Sequence, residues 1–194
     1  PYVLDALANG PGSRYADWFP IEWNAPGGPR PKVFEGHGSL VALNHSNPEV
    51  RDYVAQVIEY WSARGVDAWR LDAAYSVDPT FWAAILPTAR ERHPHLWFLG
   101  EVIHGDYPAL VESFTYDSVT QYELWKAIWS SLKEENFFEL DHSLQRHNEF
   151  LDAFVPNTFV GNHDVTRIAT QIGHEKSVLA LVLLMTLGGV PSIY

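Results

Sequence analysis

The sequence predicts an α/β fold built on parallel strands. From residue 47 onward, segments with helical periodicity alternate with short apolar segments of strand character. That alternation implies parallel pairing through right-handed crossovers. The 194-residue chain is 46% hydrophobic, enough to bury a substantial core within one domain.

Residues 1–38 carry Gly, Pro and aromatic residues without a clear period and are expected to form an irregular loop or insert. Trp18, Trp23 and Phe34 within it are candidates for a loop lying over a binding site, because aromatic faces stack on the apolar faces of sugars. NPEVRDYVAQVIEYWSARG (47–65) predicts a helix, with Asn47 as N-cap, Pro48 in the first turn and Gly65 at the C-terminal cap. Val50, Val54, Val57, Ile58 and Trp61 form its apolar stripe. VDAWRLD (66–72) predicts a strand. Asp78 and Pro79 open a second helix, expected to kink or break at Pro87. LWFLGEV (96–102) predicts the next strand, followed by a short helix over 106–112 and a weaker strand, SFTYDSV (113–119). QYELWKAIWSSLKEE (121–135) reads as a helix with Trp125, Ile128, Trp129 and Leu132 on one face. Residues 136–156 mix loop and helix. NTFVGNHD (157–164) predicts a fourth strand, HEKSVLALVLLMTLGG (174–189) a helix, and PSIY the start of a fifth strand. Five strands with their helices fit either an open α/β sheet or most of a (β/α)8 barrel. A complete barrel takes about 250 residues, so on the barrel reading roughly three strands would precede residue 1.

The formal net charge is −11 and the isoelectric point about 5.1. Such a surface repels phosphate backbones and anionic lipid, so neither nucleic acid nor a membrane surface is expected as a partner; a neutral substrate is compatible. There are no cysteines, which excludes disulfide and thiol chemistry. No signal-peptide pattern opens the chain. The longest apolar run, VLALVLLMTLGG (178–189), is shorter than the roughly 20 residues needed to span a bilayer and is expected to be a buried helix.

The chemistry gathers at strand ends. In GVDAWRLDAA (65–74), side chains alternate, so Val66, Ala68, Arg70 and Asp72 share one face, and charge enters only at its C-terminal end. LWFLGEV likewise runs apolar and then presents Glu101, and TFVGNHD presents Asn162, His163 and Asp164. In a parallel α/β fold the C-terminal ends of strands are where sites are built. Three carboxylates brought to one rim repel, which drives one toward its protonated form while a neighbouring arginine keeps another ionised. Arg70 lies about 6.6 Å along the strand from Asp72 and can hold it as a carboxylate. A protonated acid beside an ionised carboxylate is the pairing that glycoside hydrolysis requires. Each ending alone has a plain structural reading: a salt bridge for Arg70 and Asp72, a solvated loop start for Glu101, a helix cap for Asp164 with His163 as a satisfied loop histidine. Three such endings at the same end of three strands favour a site. Tyr75 and His104, just past two of these ends, are candidate substrate contacts. His93 and His95 precede their strand, at the wrong end for a site, so no metal site is expected there. His142 and His147 are five apart, do not share a helical face, and are expected at the surface.

GVDAWRLDAA, FLGEVI and FVGNHD resemble three motifs of glycoside hydrolase family 13, the α-amylase family, in order and spacing. LNHSNPEVRDYV (43–54) is similar to the segment preceding the family's fourth barrel strand, and TLGGVPSIY resembles the approach to the eighth. The resemblance covers approximately residues 39–194. It implies part of a (β/α)8 TIM barrel, approximately strands 4 to 8 with their helices, with residues 1–38 a loop or insert before the fourth strand. It implies a retaining glycosidase or transglycosidase acting on α-glucosidic bonds of α-glucans or maltooligosaccharides. Carried over residue by residue, Asp72 matches the nucleophile, Glu101 the general acid/base, Asp164 the third carboxylate that binds sugar hydroxyls, Arg70 the arginine beside the nucleophile and His163 a histidine that contacts the sugar. No cofactor is implied for the chemistry; a structural calcium ion is left to the full-length protein and is not assignable here. Two departures stand out. The family's first motif has no counterpart ahead of residue 39, and Asn44-His45, directly before the helix at 47, is not assigned to it. Where α-amylases commonly carry a Lys-His pair after the nucleophile, this chain has Tyr75 and Ser76. The alternatives are a non-catalytic or inactive truncated homologue that binds carbohydrate or a partner protein, and a metal-dependent barrel hydrolase, disfavoured by the lack of a His cluster. A truncated barrel would expose apolar surface, so self-association is a further expectation.

Overall fold

The computed structural model describes residues 1–194. The chain folds as two units, Pro1–Arg64 and Gly65–Tyr194.

The first unit holds α1 (Tyr2–Asn9), a short antiparallel pair of β1 (Ile21–Glu22) and β2 (Arg30–Pro31), and α2 (Pro48–Ser62). Helix α1 lies where the sequence shows no clear period. Asn47 caps α2 by accepting from the Glu49 N–H at 2.8 Å, and Pro48 sits in the first turn, where its missing N–H leaves no bond unmade. The helix closes on Ala63, so Gly65, with φ of 97°, lies beyond the cap it was expected to form. Val50 and Ile58 are buried, but Trp61 is exposed and packs edge-on against Tyr60. Trp18 is buried. Its Nε1 donates to Glu49 at 2.9 Å and its ring sits among Tyr2, Tyr15 and Tyr53 at 5.1–5.4 Å. An indole expected to lie over a binding site therefore fills the core of this unit, with its aromatic surface already packed. Trp23 and Phe34 are half-buried.

In the second unit, β3 (Ala68–Leu71) pairs in parallel with β4 (Trp97–Gly100), placing Arg70 opposite Leu99. Strand β4 pairs with β5 (Ser118–Val119). A bridge from Thr120 to Asn157 continues the array to β6 (Asn157–Phe159), which pairs with β7 (Val190–Ser192). The crossovers are α3 (Pro79–Arg92), α4 (Tyr107–Phe114), α5 (Tyr122–Glu134) with α6 (Phe138–Leu151), and α7 (Ile168–Ile172) with α8 (His174–Thr186). A doubly wound sheet reverses its strand order at a switch point. Five parallel strands in unbroken chain order are instead the wall of a (β/α)8 barrel. Leu124, Ile128 and Leu132 of α5 pack with Leu140 of α6, Val160 beyond β6, and Ala180 and Leu184 of α8 to form a core under the helices.

Several local expectations give way to packing. Helix α3 runs unbroken through Pro87, because Phe81, Trp82, Ile85, Leu86 and Ala89 bury one continuous face and Asp78 caps the start by accepting from Thr80 N–H at 2.8 Å. The strand expected over 113–119 shrinks to two residues. Ser113 and Phe114 remain helical, and Thr115 ends α4 in the left-handed region at φ 60°. The apolar run expected to be a buried helix has only one buried side: Ala180 and Leu184 are buried while Val178, Leu179, Leu181, Val182 and Met185 are exposed. No helix is long and apolar enough to cross a membrane.

His147, expected at the surface, is buried at 1% exposure. Its Nε2 lies 2.7 Å from the Gly188 carbonyl oxygen, an acceptor only, so Nε2 carries the hydrogen and donates it. Burial lowers the imidazole below its usual range, partly opposed by that bond. The unfolded chain therefore takes up a proton that the folded chain resists. The associated stability is complete above the unfolded value near 6.5 and erodes as pH falls below it. In the intact protein, wild type should lose melting temperature between pH 7 and pH 5 more steeply than His147→Gln, which keeps an N–H donor. Parallel pH dependences in the two proteins would refute this.

Candidate active site

The site is assembled at the C-terminal ends of β3, β4 and β6. On β3, Leu71 is buried, while Ala68 and Arg70 are exposed on the other face. Asp72 follows the strand. The next residue, Ala73, has φ 45° and ψ 36°, a left-handed conformation that costs a non-glycine residue roughly 1–2 kcal/mol. What holds it there is visible: its N–H donates to Glu101 Oε2 at 2.9 Å, and the Tyr75 N–H reaches the Glu101 carbonyl at 3.3 Å. The turn after β3 is thus tied to the residue after β4 by side chain and backbone together.

Glu101 emerges directly after Gly100. A Cβ on Gly100 would lie 2.5 Å from the ring of buried Tyr116, so only glycine lets β4 run this close to that ring. The Glu101 N–H continues the ladder to the Leu71 carbonyl at 3.0 Å, which fixes where its side chain starts. Asp164 lies in the loop after β6, where its N–H donates to Asn162 Oδ1 at 3.0 Å.

One guanidinium joins the three carboxylates. Arg70 Nη1 lies 3.1 Å from Asp72 Oδ1; Nη2 lies 2.8 Å from Glu101 Oε1 and 3.6 Å from Asp164 Oδ2. The sequence pointed to an Arg70–Asp72 pair; the structure makes Arg70 the hub for all three. The acids differ in solvation: the side chains of Asp72, Asp164 and Glu101 are 77%, 48% and 8% exposed. Three acidic groups against one fixed cation leave the site negative overall, an environment that favours positive charge developing on a bound ligand. His163 Nε2 lies 3.3 Å from Asp164 Oδ1. Tyr75 is half-buried beside Glu101, and His104 is exposed three residues beyond it. His95 lies at the other end of the strands, with Nε2 3.1 Å from Asp67. Asn44 is in the first unit, donating to the Asp17 carbonyl. No group of three or more His, Asp or Glu side chains is arranged to hold a metal ion.

Two contributors escaped the sequence reading. Tyr122, at the start of α5, is buried with its hydroxyl 3.2 Å from Glu101 Oε1, and Asn162 Nδ2 donates to that hydroxyl at 2.7 Å. Burial, partly opposed by the Asn162 bond and reinforced by the Glu101 carboxylate, pushes the Tyr122 hydroxyl up to about 12, so it keeps its proton at neutral pH. The available signal was its place just past the end of β5, the same rim as Glu101, but so short a strand hid that rim. The second is a cavity of about 290 Å³ beside Asp164, walled by Trp125 and Trp129 with Thr166 and Gln171 as polar lining. Both indoles read as core from their helical spacing.

Arg70→Ala should cut kcat/KM by roughly 10²–10³-fold, since it removes the only cation bridging the three acids. Arg70→Lys should recover little, because one ammonium cannot replace two guanidinium nitrogens aimed at different carboxylates. Steady-state kinetics of the two variants in the intact protein check this; near-wild-type activity in Arg70→Lys would show that charge alone suffices.

Comparison with known proteins bears on family and fold. Residues 33–194 match the family model for the alpha amylase catalytic domain. The chain is 33% identical to the maltogenic alpha-amylase of Bacillus acidopullulyticus, over all of this chain and 35% of that protein. It is 32% identical to the cyclomaltodextrinase of Geobacillus thermopakistaniensis, over 98% of this chain and 34% of that protein. The chain therefore spans about a third of the length of these relatives. Its fold superimposes on the cyclic alpha-maltosyl-(1→6)-maltose hydrolase of Arthrobacter globiformis with a TM-score of 0.88 at 25% identity, covering all of this chain and 46% of that one. The family model over residues 33–194, the sequence likeness to maltogenic amylase and the shared barrel fold place the chain in the alpha-amylase family, glycoside hydrolase family 13, as a portion of its (β/α)8 catalytic barrel.

Proposed function

We propose that the intact protein is a retaining glycoside hydrolase or transglycosidase that cleaves α-glucosidic bonds through a covalent glycosyl-Asp72 intermediate. The observation that carries this reading is the single guanidinium of Arg70 gathering Asp72, Glu101 and Asp164 beyond the ends of β3, β4 and β6. In the first step an Asp72 carboxylate oxygen bonds to the anomeric carbon. The bond to the leaving sugar breaks, and the Glu101 proton moves to the departing oxygen. In the second step Glu101 takes a proton from water, or from a sugar hydroxyl, whose oxygen displaces Asp72. Asp164 and His163 hold hydroxyls of the reacting ring. Tyr75 and His104 contact the substrate beside Glu101, and the indole-walled cavity next to Asp164 accepts a neighbouring glucosyl unit. The net negative site suits an oxocarbenium-like transition state and a neutral substrate.

The names of the relatives point to maltooligosaccharides and cyclomaltodextrins as first substrates. The decisive experiment is proton NMR of the first product released by the intact protein from these substrates. The α-anomer is expected to form first. Initial release of the β-anomer would replace the covalent route with direct attack by water, and absence of turnover on any α-glucan would favour a binding protein.

A further inference from the structure

We propose that Tyr122 is a positioning residue that dictates which oxygen of Glu101 carries the transferable proton; this rests on the reading of Glu101 as general acid/base. The two carboxylate oxygens are unequally occupied. Oε1 accepts the Tyr122 hydroxyl at 3.2 Å and has the cationic Arg70 Nη2 2.8 Å away, so a proton there would face an O–H donor and a positive charge. Oε2 accepts the neutral Ala73 N–H at 2.9 Å and, with two lone pairs, can still carry a proton. A proton on Glu101 therefore resides on Oε2.

The direction of the Tyr122 O–H is set by a chain of donors. The Asp164 N–H donates to Asn162 Oδ1 at 3.0 Å, which orients the amide so that Nδ2 faces Tyr122. The Asn162 N–H then occupies one side of the phenol oxygen at 2.7 Å, leaving the O–H to point at Glu101. The ring has no freedom to swing away. It packs edge-on against Phe159 at 4.9 Å and Trp125 at 5.7 Å, and the residue is 8% exposed. Without the phenol, Oε1 loses its O–H donor, and the proton is no longer confined to Oε2.

The test is Tyr122→Phe in the intact protein, assayed on maltooligosaccharides and on an aryl α-maltoside with a dinitrophenolate leaving group. The aryl substrate departs without protonation, so it bypasses the acid step. The expected result is a loss of roughly 10- to 100-fold on maltooligosaccharides against under about 3-fold on the aryl substrate. The alkaline limb of the maltooligosaccharide profile should also move to higher pH, because the carboxylate loses a donor. Asn162→Ala, which leaves the phenol present but unaimed, should show the same selectivity at smaller size. Equal losses on both substrates, or an unmoved alkaline limb, would overturn the proposal and leave Tyr122 a packing residue. Glu101→Gln separates the two levels of inference. If it still hydrolyses maltooligosaccharides, the acid/base assignment falls; if it does not while Tyr122→Phe behaves as wild type, only the positioning role falls.

Discussion

Asp72→Asn in the intact protein is expected to lower turnover of α-glucans by at least about 10⁴-fold while leaving the fold intact. The amide matches the carboxylate in shape but lacks the charge and nucleophilicity needed to bond to an anomeric carbon. Its structural cost should be small. Asp72 is largely exposed, its one ion pair is with Arg70, and Arg70 keeps Glu101 and Asp164 as partners. Substitutions at such positions typically fall within about 0.5 kcal/mol. Two measurements check the assignment together. Stopped-assay kinetics should show the loss, and mass spectrometry after incubation with a fluorinated glucosyl donor should show a covalent adduct on wild type only. Unchanged turnover, or an adduct that survives in the variant, would move the nucleophile elsewhere.

Glu101→Gln is expected to be comparably damaging to glucan hydrolysis, by roughly 10²–10⁴-fold, but for a different reason and with a structural penalty. Glu101 is nearly buried and all three of its partners, Arg70, Tyr122 and the Ala73 N–H, are donors. Glutamine must turn its NH2 toward either the first two or the third. That donor-to-donor contact should cost about 1–3 kcal/mol, seen as a lower melting temperature absent from Asp72→Asn. Turnover of the aryl maltoside should be largely spared in its first step, and added azide should accelerate the second by attacking without a base. Azide that fails to accelerate it would count against Glu101 as the base.

The pattern of what was legible follows the range of each interaction. Strand and helix identities came from period and capping, which act over a few residues: the Asn47 cap and the α5 helix appear where the sequence placed them, with Ile128 and Leu132 buried as expected. Asp72, Glu101 and Asp164 could be nominated because a change from apolar to charged is visible within a single strand. Failures occur where a distant segment decides. Spacing placed His147 at the surface, but the Gly188 carbonyl, 41 positions away, gives it a buried partner. Pro87 was expected to kink or break its helix on local grounds, yet the helix continues to Arg92 along the buried face of α3. Tyr122 could not be paired with Glu101 from spacing, since the two meet only when β4 and β5 lie side by side.

The sequence by itself determined the alternation of strands and helices, the acidic character of three strand ends and, through its motifs, the family. These depend on local dihedral preference and on side-chain alternation, which a linear string records directly. Only the tertiary structure decided that the strands follow one another in barrel order, that Arg70 serves three acids instead of one, and that Glu101 is sheltered while Asp72 stands open. Those outcomes depend on parallel registry between segments some 30 to 90 residues apart, set by packing across the whole wall, and no local pattern encodes a distance across such a gap.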